Sequence, residues 1–166
     1  IKMREILFRG KPKYDGEYYF FSQIWKDNCR DGFVCGSLVV DSDRYYICVS
    51  AMRNINTCIN NGMTSMIEVI PETVGQFTGL TDKNGKKIFE GDVVRVCLDP
   101  EICVGNVIWD NEIASYNIPF NNEKCVLPLD IFIAKNKVGN KVWIEVIGNI
   151  HDNPELLKGD SDAEIH

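Results

Sequence analysis

The chain has 166 residues, 45% of them hydrophobic and 25% charged, the make-up of a soluble globular protein long enough to bury a core without staples. No apolar run of about eighteen residues and no signal-peptide layout occurs, so a membrane span and export are set aside and the cytoplasm is the expected location. A formal net charge of −6 argues against the broad basic footprint of a duplex-binding protein.

The first predicted element is a strand over Glu5 to Arg9 with Ile6 and Phe8 on one face, followed by a turn through Gly10-Lys11-Pro12-Lys13. This start is basic, with Lys2, Arg4, Arg9, Lys11 and Lys13 against Glu5 alone. The aromatics Tyr18 to Phe21 and Ile24-Trp25 are consecutive, so they point to both sides of the chain and suit packing better than base stacking. Phe33 to Val40 and Tyr45 to Val49 read as two strands joined by the loop Asp41-Ser42-Asp43-Arg44. Ser50 to Gly62 is the best helix candidate from its near-helical apolar spacing, although its four asparagines favour a loop. Ser65 to Ile70 is a further strand.

From Pro71 to Trp109 the chain is a string of short strands and turns. Asn84-Gly85 is expected to form a type I′ hairpin turn with positive φ at both positions, joining arms at Gln76 to Asp82 and Lys87 to Glu90. Gly91-Asp92 turns the chain into Val93 to Leu98, whose Val94, Val96 and Leu98 form an apolar face. Asp99-Pro100-Glu101 breaks the ladder, and Gly105 to Trp109 resumes it. Such alternation of turn and short strand writes a small closed or half-closed barrel around a Val/Trp interior. Asp110 to Lys124 carries four asparagines and little periodicity, and reads as a long loop, functional or inserted. Cys125 to Leu129 and Ile131 to Ala134 return to strand character, Val138 to Lys141 is a turn, and Val142 to Ile147 is a strong closing strand. Asn153 is placed to cap a short helical turn that begins at Pro154. Lys158 to His166 reads as a disordered acidic tail.

The block PETVGQFTGLTDKNGKKIFEGDVV, with the opening REILFRGK, the central GSLVV and the closing VIGNIHDNPELL, resembles the YopX family of phage and prophage proteins from Met3 to Leu157. The resemblance places the native start near Met3. It implies a fold leaning to all-β, with an SH3-like barrel in the C-terminal part, and supplies no biochemical activity. The expected class is therefore mainly β with at most short helices. Its expected parts are a β-rich subdomain over 1–70, the SH3-like barrel over 71–157 and the tail over 158–166.

Seven cysteines occur, at 29, 35, 48, 58, 97, 103 and 125. None forms a C-x-x-C pair, and the two histidines fall in the last sixteen residues, so they read as reduced thiols rather than metal ligands. No cofactor or metal is expected. His151 beside Asp152 is read as a surface histidine. Glu72, Glu90 and Asp92 are the carboxylates that a hydrolase would need, though Glu72 and Asp92 also sit where turns place acceptors. No phosphate-binding, dinucleotide or nucleophile-elbow motif occurs.

Gln76, Phe77, Thr78 and Gly79, with Asp82, Asn84, Gly85 and Lys86, are the candidate binding edge. The alternative is that their polar groups fix register through bonds to backbone. The leading expectation is a non-catalytic module that contacts a protein partner through the barrel surface. The runner-up is nucleic-acid binding through Arg4, Arg9, Lys11 and Lys13 with the tip lysines Lys83, Lys86 and Lys87. Third comes a hydrolase built on Glu72, Glu90 or Asp92. A homo-oligomer is also open, because short strand edges invite pairing.

Overall fold

The computed structural model describes residues 5–13, 29–50, 64–120, 125–132 and 142–158. The Tyr18 to Trp25 aromatics, residues 51–62 of the helix candidate, the turn at 138–141, Arg4 and tail residues 159–166 lie outside the described residues. The chain is mainly β, and its coordinates divide into two compact units, Ile1–Phe77 and Thr78–His166.

In the first unit the strands are β1 Phe8–Gly10, β2 Cys29–Arg30, β3 Phe33–Asp41, β4 Arg44–Ser50 and β5 Thr64–Val69, then a 3-10 turn at Pro71–Thr73 and the opening of β6 Gly75–Thr81. They are antiparallel in the order β5-β4-β3-β1-β6, with β2 on β3. Strand β3 changes partner at Gly36: Val34 to Gly36 face β1, and Ser37 to Asp41 face β4. A Cβ at Gly36 would run into the carbonyl of Cys48, so the crossover needs a residue without one. Beyond β1 the chain returns to the far edge of the sheet. The Lys13 N–H donates to the Glu68 carbonyl at 3.0 Å, and the Ile70 N–H donates to the Lys11 carbonyl at 2.8 Å. The sheet thereby curls onto itself around Val34, Ile47, Val49 and Val69. Thr73 fixes the closure, its hydroxyl donating to the Ile70 carbonyl and accepting the Lys11 N–H. The first strand begins later than the apolar spacing predicts. Ile6 is 67% exposed and precedes β1, whose registered ladders with β3 and β6 begin at Phe8.

The second unit holds the end of β6, then β7 Lys87–Phe89, β8 Asp92–Leu98, β9 Ile102–Asn106, β10 Ile108–Asp110, β11 Ser115–Phe120, β12 Cys125–Pro128, β13 Val142–Asn149 and a 3-10 turn Pro154–Leu157 that lies against β9. Two three-stranded antiparallel sheets, β13-β8-β9 and β10-β11-β12, pack on each other, while β6 pairs with β7. Val94 and Val96 are fully buried in a core with Ile88, Val107, Ile118, Phe120 and Ile144, each valine contributing about 1.5 to 3 kcal/mol of transfer free energy. Strand β9 crosses β11 at Gly105, where a Cβ would lie 2.5 Å from the Pro119 carbonyl oxygen and 2.7 Å from Ile118 Cγ2. The two curled sheets form a half-barrel. Trp109 does not belong to its interior: it is 40% exposed, edge-on to the buried Tyr116 at 4.9 Å between ring centroids.

Three expectations in this part need correction. Asp110 to Phe120 is not a loop but the turn and second arm of a hairpin, in which Trp109 pairs with Tyr116. Tyr116, Asn117 and Ile118 are buried in succession, which hides the alternation that marks a strand. Ile131 and Phe132 have helical rather than extended backbone. Asn153 makes no side-chain cap on the Pro154 turn. Its Oδ1 instead accepts the Asn149 N–H at 3.4 Å. Among the described residues no helix is long and apolar enough to cross a membrane.

Replacing Gly105 with Ala should destabilise the protein by about 1 to 3 kcal/mol, since a backbone carbonyl must move to admit the methyl; urea unfolding of the variant against the parent measures it. On the first unit, Arg44 and then Lys13 hydrogen-bond Glu68 and hold its carboxyl down to about 2. A depressed carboxylate contributes stability that is complete above its ordinary value of 4.5 and is lost as pH falls through the folded value. Urea midpoints of the parent and Glu68→Gln should therefore differ most above pH 4.5 and converge as pH approaches 2.

Candidate functional site

The hairpin tip is organised by Asp82, a buried carboxylate. Its Oδ1 accepts the N–H groups of Asn84 at 2.8 Å and Lys86 at 2.9 Å. Its Oδ2 accepts the N–H of Val146 in β13 at 3.1 Å. The Lys83 N–H adds a bond to the Ile144 carbonyl at 2.9 Å, so the tip is stitched along the edge of β13. The expected type I′ turn is not what forms. Gly85 has positive φ, at 81°, and Asn84 does not. With the Gly85 N–H bonded to the Asp82 carbonyl and the Asp82 N–H to the Lys86 carbonyl, this is a longer hairpin loop that ends in a left-handed glycine. The physical reason is the carboxylate: by holding two tip amides it favours a right-handed first turn.

The remaining candidate positions are bonded locally as well. Gln76 is half-buried in register with Phe8, and Phe77 is buried with its N–H donating to the Leu7 carbonyl. The Thr78 hydroxyl donates to the Ile88 carbonyl at 2.9 Å and accepts the Leu80 N–H at 3.2 Å, around a left-handed Gly79. Of the basic residues, Arg9 lies buried with its guanidinium 4.5 Å from the centre of the Phe33 ring, and the Lys11 ammonium lies 5.5 Å from the same ring. Lys13 pairs with Glu68 at 2.9 Å. Lys87 is half-buried in β7, and Lys86 is exposed. Among the carboxylates, Glu72 is exposed in the first unit. Asp92 in the second is buried, with its Oδ2 accepting the Phe89 N–H at 2.8 Å, and Glu90 is half-buried two residues before it. Among the described residues no group of three or more His, Cys, Asp or Glu side chains could hold a metal ion.

What the tip does assemble is the outward face of the β13-β8-β9 sheet. Pairing sets Trp143, Cys97 and Ile102 abreast in one row, and Glu145, Arg95 and Val104 abreast in the next. Alternation points the intervening Ile144, Val96 and Cys103 into the core. Ile102 is 60% exposed and Val104 37% exposed. The Lys83 ammonium sits 3.9 Å from the centre of the Trp143 ring and 3.0 Å from Glu145. Arg95 approaches the same carboxylate at 3.6 Å, and the Asn84 amide donates to it at 3.4 Å. Lys83 above all draws the Glu145 carboxyl below its ordinary range, with Asn84 and Arg95 adding to the effect. Chemically this is an apolar strip bordered by a largely self-compensated charge cluster, suited to protein contact. Sequence reading found Lys83 and Asn84 but missed Trp143, Glu145, Arg95, Ile102 and Val104. The signal for Arg95 was present as the charged residue that alternates with Val94 and Val96.

Replacing Asp82 with Ala strands three backbone N–H groups at once. It should cost about 2 to 3 kcal/mol and speed hydrogen exchange at the Val146 amide, which NMR reads directly.

A family model described as YopX protein matches residues 7–158. No curated protein matches. Among solved structures, the crystal structure of protein EF1440 from Enterococcus faecalis is similar at 18% sequence identity, with 93% of this chain and 99% of that chain covered and a TM-score of 0.47.

Proposed function

The chain belongs to the YopX family, and on that premise we propose that it is a non-catalytic protein-interaction module of a phage or prophage, acting in the cytoplasm. In this reading its C-terminal unit works as an SH3-like barrel, and the contact is made by the outward face of β13-β8-β9. The supporting observation is the exposed pair Ile102 and Val104 on β9, with Cys97 joining Ile102 to Trp143 across the sheet and Lys83, Arg95 and Glu145 bordering that row on one side. Single exposed aliphatics are ordinary, whereas a contiguous apolar strip with a polar rim is how contact surfaces are built.

Binding to a polyanion has weaker support. Lys83 and Arg95 already share the Glu145 carboxylate, and Lys13 shares Glu68 with Arg44. A cation already compensated within its own chain releases fewer counterions on binding phosphate.

The test is affinity capture from nuclease-treated extracts of prophage-carrying cells, with the parent protein and Ile102→Glu compared in parallel. The parent should retain proteins whose recovery falls about tenfold or more with the variant, the loss expected at a central contact residue. Equal recovery by the two proteins, or a parent that retains protein only from extracts left without nuclease, refutes the reading.

A further inference from the structure

The outward face of β13-β8-β9 has a polarity along its strands that its apolar content does not require. Successive outward positions on β8 are the buried Val93, the exposed Arg95 and the buried Cys97, and the first residue past the strand is the exposed Asp99. On one side of the Trp143–Cys97–Ile102 row lie Lys83 and Arg95 around Glu145, a net charge of about +1 at neutral pH. On the other side, the turn between β8 and β9 carries Asp99 and Glu101, both exposed. Among the described residues, the accessible part of the face is therefore positive at one end, apolar across the middle and negative at the β8–β9 turn.

We propose that the occupant of this face is a second copy of the same chain, packed sheet against sheet about a two-fold axis that runs along the Trp143–Cys97–Ile102 row. The proposal rests on the reading of this face as a contact surface and names its partner. A two-fold axis lying in the contact plane reverses the strand direction and preserves position along the row. The apolar row then meets itself, Ile102 against Ile102 of the second copy. Because position along the row is preserved, Arg95 on β8 of each chain meets Asp99 at the end of β8 of the other, twice in one interface, while Lys83 stays on the β13 side. The other in-plane axis, along the strands, would set Arg95 against Arg95, and like charges in contact oppose it. A closed two-fold contact needs a self-complementary patch, and this polarity supplies one.

The chains carry a formal charge of −6 each, so net repulsion opposes their approach once they come within a Debye length, about 10 Å at 0.1 M salt, and is largely screened beyond it. Attraction comes from the apolar row, and the charges fix the register. A three-stranded face is small beside the roughly 1,600 Å² of a standard stable interface, so the association is reversible and concentration-dependent.

Sedimentation velocity over a concentration series, with circular dichroism to verify folding, tests this on the full chain. The parent should pass from monomer to dimer as concentration rises. Arg95→Asp and Asp99→Arg should each weaken the dimer about tenfold or more. The double variant carrying both should recover it. Within one chain these two positions are about 13 Å apart along the strand, too far for recovery by an intramolecular pair. Ile102→Glu should remain monomeric. A parent that stays monomeric up to about 1 mM, or a double variant no better than its singles, overturns the proposal. If the parent is monomeric and Ile102→Glu still loses captured proteins, the second copy is refuted while the contact face stands. A dimer untouched by Ile102→Glu refutes this interface.

Discussion

The Asp82 carboxylate is the interaction on which the second unit's surface depends. One buried side chain accepts three backbone N–H groups, two in its own loop and one in β13. Removing such a group from water is costly unless every lone pair in use finds a donor, and here the donors come from segments far apart in sequence. The result is a hairpin tip that cannot swing away from β13, which carries Lys83 onto Trp143 and Glu145. The cation–π contact is worth only about 0.5 to 1 kcal/mol at an exposed site, too little to place the tip unaided. Placement comes from the backbone bonds, and the surface cluster is its consequence.

Much of the architecture was legible in the sequence because strand alternation and turn chemistry act locally. The hairpin of β3 and β4, the strand β5, and β8 with its buried Val94 and Val96 follow directly from apolar residues spaced by two between turn formers. Legibility fails where the decisive partner is remote. Asn84-Gly85 favours a type I′ turn in isolation, but Asp82 reaches across the loop and selects another. Asn153 suits a helix cap, but Asn149 claims its oxygen. Strand β11 escaped notice because it is buried on both sides and contains Asn117 and Pro119, residues that a surface strand would use to stop. In each case a tertiary contact outweighed a propensity worth about 1 kcal/mol or less.

The candidate site was legible only in part, and for an electrostatic reason. A run such as Lys83, Lys86 and Lys87 suggests a positive tip when charges are counted along the chain. Folding sets the first of these against Glu145, more than sixty residues away, and the field at the tip is correspondingly reduced. Counting along the chain also overlooks Arg95, whose exposure follows from the inward turn of its two valine neighbours. The face becomes recognisable only once β13, β8 and β9 lie in register, because its rows run across the strands.

Strand β3 changes partner at a residue that cannot carry a side chain, and this bears on how such a protein can diversify. The pairing of Val34 to Gly36 with β1 and that of Ser37 to Asp41 with β4 are separate ladders on one continuous strand. An inserted residue shifts every side chain beyond it to the opposite face, but Gly36 has no face to exchange. A length change in the Ser42-Asp43 connection therefore bears first on the β4 ladder, and one at Asp31-Gly32, before Phe33, bears first on the pairing of β2 with β3. The glycine marks the seam between those ladders, so that a local change of length on either side leaves the buried Val34, Ile47 and Val49 to be held by the ladder it does not touch.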